Sequence, residues 1–408
     1  MNMPYKLYKT TVAAAIGLAI TTSSHAAVYT YDKLHRLTTV TYESGYRIRY
    51  SYDATGNILH IATSRISTVY RIIIGTSHNE VLVRSPDGVL EYQFPITQSG
   101  NGIAVAALDS DQDDTSEVAV AGDNTVAIYK LDGTEKKAFS IAEQSATLAV
   151  GDATQDDKPD IAAASQIFPS ISASLYTLEG NSLGAIPLFN ADTLFSLAAG
   201  DVDNDGFDDL IAGERNANEV SVNGLFSFTV FDSVAKPPHQ GQTQQNNKVT
   251  VCHNPPGNPS AAQTISVSKN ALQTHLNHGD SLGECPPTVY GVNVAVSDLD
   301  GDGQAEIIAA MADKGGRIEI YSGDGTLING FNAFNNSRNG LVVTAGNVVG
   351  GPEPEIIVSE ANGTKIRVFD ETGHRITHFQ GTDTGGIVSL AVGQEIVEIP
   401  IIPYWAIL

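Results

Sequence analysis

Residues 198–214 read AAGDVDNDGFDDLIAGE, and this stretch carries the pattern that decides the fold. A short run of small apolar residues leads into a nine-residue acidic loop, and a second apolar run follows directly. Self-similarity of this kind is the sequence signature of a repeat architecture. The five stretches that share the pattern start their loops at Asp109, Asp152, Asp201, Asp298 and Asn347.

The segments between the acidic loops are repetitive as well. The loop starts lie 43, 49, 97 and 49 residues apart, and the string SLAVGQEIVEI places Gln394 another 47 residues further on. Strand-like runs flank Asp-Gly turns, as in NTVAIYKLDGTEKKAF at residues 124–139, and Thr68 to Phe94 shows the same hairpin pattern. A repeat of about 45 residues with four short strands is typical of a propeller blade. The sequence therefore predicts an all-β fold, a six- to seven-bladed β-propeller with calcium-binding inter-strand loops.

The acidic loops have the donor chemistry of a calcium site. Asp201, Asp203 and Asp205 stand on alternate residues, Gly206 permits a sharp turn, and Asp209 adds a carboxylate at the ninth position. Calcium takes six to eight oxygen ligands in forgiving geometry, and the loops hold 20 of the 46 acidic residues. We predict three to four Ca²⁺ ions that stiffen the loops. The predicted ligands are Asp109, Asp111, Asp113, Glu117, Asp152, Asp156, Asp160, Asp201, Asp203, Asp205, Asp209, Asp298, Asp300, Asp302 and Glu306.

Two of the loops depart from the full pattern. The second has Thr154 in place of one alternate carboxylate, so we expect weaker binding there. The fifth has Asn347, Val349 and Gly351 at the alternate positions, so we expect it to be empty. An EF-hand requires an acidic residue at position twelve and flanking helices, whereas a strand-like run follows position nine here. The ion is therefore predicted on a strand-to-strand connection.

The acidic loops followed by EVAVAG, DIAAAS, DLIAGE or EIIAAM resemble the FG-GAP/VCBS repeats of integrin-α-type propellers. The resemblance covers about residues 66–396 apart from an insert. It implies a seven-bladed propeller whose last blade is closed by strands from both chain ends. The sequence itself supports six to seven blades.

The beginning of the chain has the layout of a secretory signal. Lys6 and Lys9 precede an apolar run from Val12 to Ile20, and small residues follow at 24–27. The apolar run is too short to span a bilayer. We predict a signal peptide at residues 1–26 and an exported protein, either extracellular or on the outer cell surface.

Residues 27–62 resemble the YD (RHS) repeat. The pairs Tyr31-Asp32 and Tyr52-Asp53 stand 21 residues apart, and His35 occupies a position where that family normally has glycine. A single copy cannot form the shell that many copies build. We predict a β-hairpin that pairs with the propeller's own edge or with a neighbouring chain, because an isolated hairpin is marginally stable.

Residues 247–287 form an insert between two propeller segments, 63–246 and 288–398. It is similar to a small Cys-His-x-Pro-Pro-Gly module of exported bacterial proteins. Two cysteines in an oxidising compartment predict one disulfide, between Cys252 and Cys285. The alternative is a zinc site formed by these cysteines with nearby imidazoles. If the sulfurs are oxidised, the imidazoles would still offer a secondary metal or ligand site. The histidines concerned are His253, His275 and His278.

The last segment, residues 399–408, reads IPIIPYWAIL. Its Ile-Pro and Trp-Ala elements resemble the start of bacterial carboxy-terminal sorting signals, without the membrane helix and basic tail that follow in those signals. A strand that closes the last blade, or one donated to a neighbouring molecule, fits the same residues.

Composition and motifs narrow the range of possible functions. The net charge of −23 has the wrong sign for neutralising nucleic-acid phosphates, so we predict no nucleic-acid partner. The chain has neither an H-E-x-x-H motif nor a phosphate loop. We predict a non-catalytic adhesion or ligand-binding protein for an extracellular protein or glycan. The alternatives are a filament or matrix subunit that polymerises with itself by terminal β-strand exchange, and a propeller enzyme acting on polysaccharide or lipid.

Overall fold

A computed structural model of the 408-residue chain describes residues 27–42, 44–97, 103–144, 146–156, 158–165, 172–188, 194–232, 247–255, 263–283, 285, 289–335 and 337–401. The predicted signal peptide and most of the predicted segment 399–408 lie outside the described residues. The chain divides into two compact units, of which one is Tyr70–Gln394 and the other is Met1–Val69 with Glu395–Leu408. The domain boundaries given above stay predictions.

The smaller unit contains an antiparallel meander. Its strands are β1 (Ala27–Tyr31), β2 (Leu37–Tyr42), β3 (Tyr46–Tyr52) and the first part of β4 (Ile58–Thr76). Strand β3 pairs with residues 58–65 of β4. The predicted hairpin thus has a partner strand in its own chain, and β4 continues from this unit into the larger one.

The Tyr-Asp pairs of this unit mark its turns. Oδ1 of Asp32 accepts hydrogen bonds from the N–H groups of Leu34 and Arg36, both at 2.9 Å. Asp53 makes the same two contacts in the second turn. His35 has a φ of +59°, in the left-handed region that favours glycine. This conformation explains why glycine is the family's usual residue at this position.

One carboxylate of the smaller unit bridges two arginines. Glu398 lies near the end of β30 (Ile387–Pro400), and its carboxylate accepts hydrogen bonds from Arg47 at 2.6 Å and Arg49 at 2.5 Å. These guanidinium groups, Arg49 most strongly, lower the pKa of Glu398 to about 2. The side chain is therefore ionised throughout the physiological pH range.

The larger unit contains five four-stranded antiparallel sheets, the part of a seven-stranded sheet that forms the first blade, and a three-stranded sheet in the insert. The predicted all-β propeller fold is confirmed. The first blade contains β30, the second half of β4, β5 (Glu80–Arg84) and β6 (Leu90–Pro95). The second contains β7 (Ala104–Leu108), β8 (Glu117–Gly122), β9 (Thr125–Lys130) and β10 (Glu135–Ser140). The third contains β11 (Ala146–Gly151), β12 (Asp160–Ser165), β13 (Ser172–Tyr176) and β14 (Ser182–Pro187).

The remaining blades have the same order. The fourth contains β15 (Leu194–Gly200), β16 (Asp209–Glu214), β17 (Glu219–Val222) and β18 (Phe226–Thr229). The insert then supplies β19 (Lys248–His253), β20 (Gln263–Ser268), helix α1 (Leu272–Asn277) and β21 (Ser281–Leu282). The fifth contains β22 (Val292–Ser297), β23 (Glu306–Met311), β24 (Arg317–Tyr321) and β25 (Leu327–Asn332). The sixth contains β26 (Leu341–Gly346), β27 (Glu355–Glu360), β28 (Lys365–Phe369) and β29 (Arg375–Gln380).

Strand β30 closes the ring of blades. Its Ser389 hydroxyl donates to the carbonyl of Ile103 at 2.8 Å and accepts from the N–H of Val105 at 3.2 Å, which places β30 beside β7. On its other side, Val392 packs against Gly346 at the end of β26. The carboxy-terminal strand therefore completes the first blade. Within the described residues there are six blades, and the seventh that the family resemblance implies is not among them.

The core lies between the blades. Residues of the second strand in a blade alternate between the two neighbouring blades, because successive side chains of a strand point to opposite faces. In β23, Ile307 and Ala309 pack toward the fourth blade, whereas Ile308 and Ala310 pack toward the sixth. Both faces of such a strand are buried, which explains its continuously apolar sequence.

A glycine in each of five outer turns receives a phenylalanine from the preceding blade. Gly133, with a φ of +86°, lies so close to Phe94 that a Cβ atom would stand 2.6 Å from the ring's Cγ. Phe94 also contacts the ring of Tyr129 at 5.4 Å between centroids. The other pairs are Gly88 with Phe379, Gly180 with Phe139, Gly325 with Phe228 and Gly373 with Phe331.

Candidate metal centres

The five acidic loops connect the first and second strands of the second to sixth blades, and each is named here after its blade. Hydrogen bonds join neighbouring loops: the N–H of Asp208 donates to the carbonyl of Asp152 at 3.1 Å, and that of Ala305 donates to Asp201 at 2.8 Å. The third-, fourth- and fifth-blade loops therefore form one continuous surface of the larger unit.

In the fourth-blade loop, residues 201–209, three carboxylates converge. Asp201, Asp203 and Asp209 each offer an oxygen within 4.8 Å of the others. Backbone N–H groups hold them in place, because Asp201 Oδ2 accepts from Gly206 at 2.9 Å and Asp209 Oδ2 accepts from Val202 at 3.0 Å. Gly206 has a φ of +88°, so the sharp turn predicted at this position is present.

The fifth-blade loop, residues 298–306, makes the same backbone contacts, but its third converging carboxylate is at position five and not at position nine. Oxygens of Asp298, Asp300 and Asp302 lie within 4.8 Å of one another. Asp298 Oδ2 accepts from the N–H of Gly303 at 3.0 Å, and Glu306 accepts from that of Leu299 at 2.8 Å. These contacts correspond position by position to those of the fourth-blade loop.

The acid at position nine is buried in both of these loops. Burial raises the pKa of Asp209 and Glu306 above their usual values, and the neighbouring carboxylates of each loop raise it further. A nearby cation stabilises a carboxylate in such surroundings. The donors are all oxygens, which suits a hard divalent ion such as Ca²⁺. The residues present therefore fit the predicted ion.

The second-blade loop contains a cation of its own. Asp109, Asp111 and Glu117 each offer an oxygen within 4.8 Å of the others, and Asp113, which was predicted with them, is not in this group. Lys136 extends from β10 so that its Nζ lies 2.8 Å from Asp111 Oδ2 and 2.8 Å from Glu117 Oε1. Partial burial lowers the pKa of Lys136, but its hydrogen bonds to these carboxylates raise the pKa overall. The ammonium group thus neutralises part of the charge that was predicted to bind calcium.

A β-bulge in β10 directs Lys136 toward the second-blade loop. Lys136 occupies a bulge between residues paired with Tyr129 and Ile128. The residues at the same bulge in the third, fifth and sixth blades are Leu183, Ile328 and Ile376. Apolar side chains at that position have no charge to offer to their acidic loops.

The two remaining loops, in the third and sixth blades, depart from the arrangement of the fourth- and fifth-blade loops. In the third-blade loop, the Thr154 hydroxyl donates to the Asp160 carboxylate at 2.8 Å, and Lys158 lies 3.5 Å from Asp156. In the sixth-blade loop, the Asn347 side-chain amide donates to the carbonyl of Gly351. Neither loop is among the groups of three or more converging ligands in the described part of the chain.

The insert contains a fourth group of converging side chains. A disulfide joins Cys252 and Cys285, as predicted, so these sulfurs are not free to bind zinc. His253 and His275 both contact the carboxylate of Asp280, through Nδ1 atoms at 2.8 and 2.7 Å from Oδ2. His278 was predicted with them, but it lies outside this group.

Sequence reasoning missed three of the residues that shape these sites. Lys136 lies 19 positions after Glu117, and only the strand register brings them together. Asp208 belongs to the fourth-blade loop, yet its Oδ2 accepts from the N–H of Asp152 in the third-blade loop at 2.7 Å. Asp280 follows the helix of the insert. The signal for it in the sequence was an acidic residue close to a pair of histidines.

Two strings match the Gly-x-Ser-x-Gly pattern of a hydrolase nucleophile, at residues 180–184 and 279–283. The first lies in the turn between β13 and β14 and continues into β14. The second leads from helix α1 into the short strand β21. A nucleophile elbow is instead a turn from a strand into a helix, so neither string has the required setting.

Comparisons with known proteins identify two repeats. Residues 29–65 match the RHS repeat model, and residues 194–225 match the FG-GAP repeat model. The second match covers the first three strands and the acidic loop of the fourth blade. A search of curated proteins finds no match to the chain. The similarity of the insert to a Cys-His-x-Pro-Pro-Gly module stays a prediction.

Solved structures with a similar fold are distant in sequence. A protein of unknown function from Bacteroides caccae is 11% identical, with a TM-score of 0.47 over 80% of this chain and 100% of that chain. The V. cholerae biofilm matrix protein Bap1 is 13% identical, with a TM-score of 0.36 over 87% and 91%. Streptogramin B lyase is 9% identical, with a TM-score of 0.42 over 91% and 98%. Likenesses at this level carry no inference about ligand or chemistry.

The described residues include no helix that is both long enough and apolar enough to cross a membrane. The family matches and the sheet topology agree with one another, since the FG-GAP match falls on a blade and the RHS match falls on the meander of β1 to β4. The chain therefore combines an RHS repeat with a β-propeller that contains an FG-GAP repeat.

Proposed function

We propose that this protein is an exported, non-catalytic β-propeller that binds an extracellular protein or glycan and is stabilised by calcium. The observation that carries the proposal is the repeated convergence of carboxylates in the fourth- and fifth-blade loops. The two loops make the same backbone contacts at the same positions. An arrangement repeated in this way supports a common role for the two loops.

Two calcium ions are proposed in place of the three to four predicted from the sequence. Asp201, Asp203 and Asp209 would hold one ion, and Asp298, Asp300 and Asp302 would hold the other. The Lys136 ammonium group supplies positive charge in the second-blade loop. Bound calcium would supply charge neutralisation and rigidity, whereas the chain's own N–H groups orient the carboxylates.

The ligand-binding surface is proposed on the joined loops of the third, fourth and fifth blades. Inter-loop hydrogen bonds connect them, so an ion in one loop stiffens its neighbour as well. Loops on a rigid scaffold are common binding sites. The net charge of −23 disfavours nucleic acids and anionic surfaces as partners.

Binding to glycan and extracellular-protein arrays tests this function. The purified chain is compared in calcium and in chelator, and then with a double variant, Asp203→Asn with Asp300→Asn. We expect one ligand class to bind in calcium and to lose affinity both in chelator and in the double variant. Binding that is equal under all three conditions would contradict a role for these loops.

A second candidate function is self-assembly, and one observation favours it. Strand β1 lies at the edge of its sheet, and Val28, Tyr29 and Tyr31 on it are exposed. An exposed apolar edge strand is a template for pairing with another chain. Light scattering of the unmutated chain and of Tyr29→Lys distinguishes the two functions. Large species that disappear in the variant support a filament subunit, and a monomer in both supports the binding protein.

A further inference from the structure

The connection between the fourth and fifth blades is much longer than the others. From the last strand of one blade to the first strand of the next, the other five connections have 5 to 8 residues. Between β18 and β22 there are 62 residues, and they include the disulfide-closed insert. The chain therefore leaves the propeller after the fourth blade and returns to it at the fifth.

The exit point is a strained residue in the core. Phe231 follows β18 with a φ of +64°, which is uncommon for a bulky side chain, and it is 1% exposed. Its N–H donates to Glu319 Oε2 at 2.7 Å and to the Tyr321 hydroxyl at 3.3 Å, both on β24 of the fifth blade. Strained backbone persists only where the surrounding contacts hold it. The fifth blade thus fixes the direction in which the chain leaves.

Glu319 is a completely buried carboxylate outside the candidate metal centres. The Tyr321 hydroxyl donates to its Oε2 at 2.5 Å, and Nε of Arg317 lies 2.8 Å from its Oε1. A buried carboxylate is costly unless it is paired and hydrogen-bonded. These partners on its own strand therefore allow Glu319 to be an acceptor for the N–H of Phe231.

The short connection between the second and third blades has a related contact. The N–H of Ala142 donates to the Tyr176 hydroxyl at 3.3 Å, and Tyr176, like Tyr321, is the last residue of a third strand. The Tyr176 hydroxyl donates to Glu143 at 2.9 Å. Glu143 belongs to the short connection itself, whereas Glu319 belongs to the next blade. The fifth blade therefore supplies its own carboxylate at the junction that carries the insert.

The return point lies beside the exit point. The rings of Tyr290 and Phe231 are 6.1 Å apart between centroids. The side-chain oxygen of Asn218 accepts from the N–H of Tyr290 at 2.8 Å, and its carbonyl accepts from that of Val230 at 2.8 Å. One residue of the fourth blade thus contacts both ends of the excursion. Without residues 233–288, six residues would join β18 to β22, which is within the range of the other connections.

We propose that the insert is a separately folded module that the propeller carries but does not need. Phe231, Glu319 and Tyr321 form a latch that closes the fourth blade onto the fifth independently of the insert. Units of about 40 residues usually need a disulfide or a metal to fold alone, and the Cys252–Cys285 disulfide supplies one. The proposal does not depend on the calcium sites, because it shares no residue with them.

Hydrogen exchange of the full chain, read by mass spectrometry in calcium, tests the proposal. Replacing both cysteines by alanine should raise exchange in β19 and β20 and leave β18, β22 and β24 unchanged. Glu319→Ala should do the reverse, and it should lower the Tm by about 4–7 °C because the buried N–H of Phe231 loses its closest acceptor. The matched control is Glu219→Ala on the third strand of the fourth blade, where the exposed carboxylate accepts from the Ser227 hydroxyl. It should change neither region.

A second variant replaces residues 233–288 by two glycines. We expect this shortened chain to fold and to unfold at the Tm of the unmutated chain. A shortened chain that fails to fold would overturn the proposal, as would exchange in β22 and β24 that rises when the cysteines are replaced. Unchanged exchange of β18 in Glu319→Ala would rule out the latch.

Discussion

Replacing Lys136 by methionine should convert the second-blade loop into a calcium site. The substitution removes the ammonium group between Asp111 and Glu117 and leaves their carboxylates in place. Methionine is an apolar side chain, and the corresponding bulges of three other blades hold leucine or isoleucine. The backbone therefore has no reason to change.

The burial of the partners sets the size of the effect. Glu117 is 5% exposed, Lys136 is 23% exposed and Asp111 is 52% exposed. Removing one partner of a fully buried ion pair costs about 3–5 kcal/mol, and the exposure of Asp111 reduces this to about 2 kcal/mol in chelator. For the unit Tyr70–Gln394, an unfolding entropy of about 2.1 cal/mol/K per residue makes that a fall of about 3 °C in Tm. Calcium at 100 times its Kd would restore about 2.7 kcal/mol.

Calorimetric titration with calcium and thermal unfolding, each in calcium and in chelator, provide the assay. The variant should bind one more ion than the unmutated chain, and calcium should restore its Tm. The control is Lys137→Met, because Lys137 makes only a long, exposed contact with Glu179 at 3.9 Å. A Lys136→Met variant that binds no additional calcium would refute the idea that the ammonium group stands in for the ion.

Two further predictions concern stability. Gly133→Ala should lower the free energy of unfolding by about 2–4 kcal/mol, because the φ of Gly133 is left-handed and the added Cβ would meet Phe94. Gly56 has a φ of +94° and nothing within 4 Å of an added Cβ, so Gly56→Ala should lower it by about 1 kcal/mol. Equal losses in urea unfolding would argue against the inter-blade contact. The pKa of Glu398 is lowered to about 2. The ionised carboxylate therefore stabilises the folded state by about 1–2 kcal/mol after allowing for solvent exposure. This stabilisation is complete above about pH 4.5 and is lost as the pH falls toward 2. The protection factors of the β3 amides, which correct for the pH dependence of intrinsic exchange, should therefore fall over that range in the unmutated chain and stay flatter in Glu398→Gln.

The repeats made the fold predictable from the sequence. Each blade carries its own acidic loop and hairpin signals, so local patterns repeated along the chain were sufficient. The number of blades was harder to predict, because the first blade requires β30 to pair with the distant strand β4. The string around Gln394 keeps the apolar pattern of a first strand without an acidic loop, and its partner β4 lies more than 300 residues earlier.

The candidate sites were predictable where their ligands are close in sequence. Asp201 to Asp209 and Asp298 to Glu306 are each one loop, and the structure brings three acids of each loop together. The disulfide followed from two cysteines alone. Lys136 was missed because a β-bulge, which the sequence does not announce, directs it toward Glu117. The Gly133 and Phe94 contact was missed because its partners belong to different blades.

The number of calcium ions that the unmutated chain binds, measured by equilibrium dialysis at neutral pH, tests the proposed calcium sites most directly. We expect two ions, and we expect none of that binding in the double variant Asp203→Asn with Asp300→Asn. Removing the two ions with chelator should also lower the Tm of the unmutated chain. A chain that binds no calcium, or a double variant that still binds two ions, would contradict calcium binding by the fourth- and fifth-blade loops.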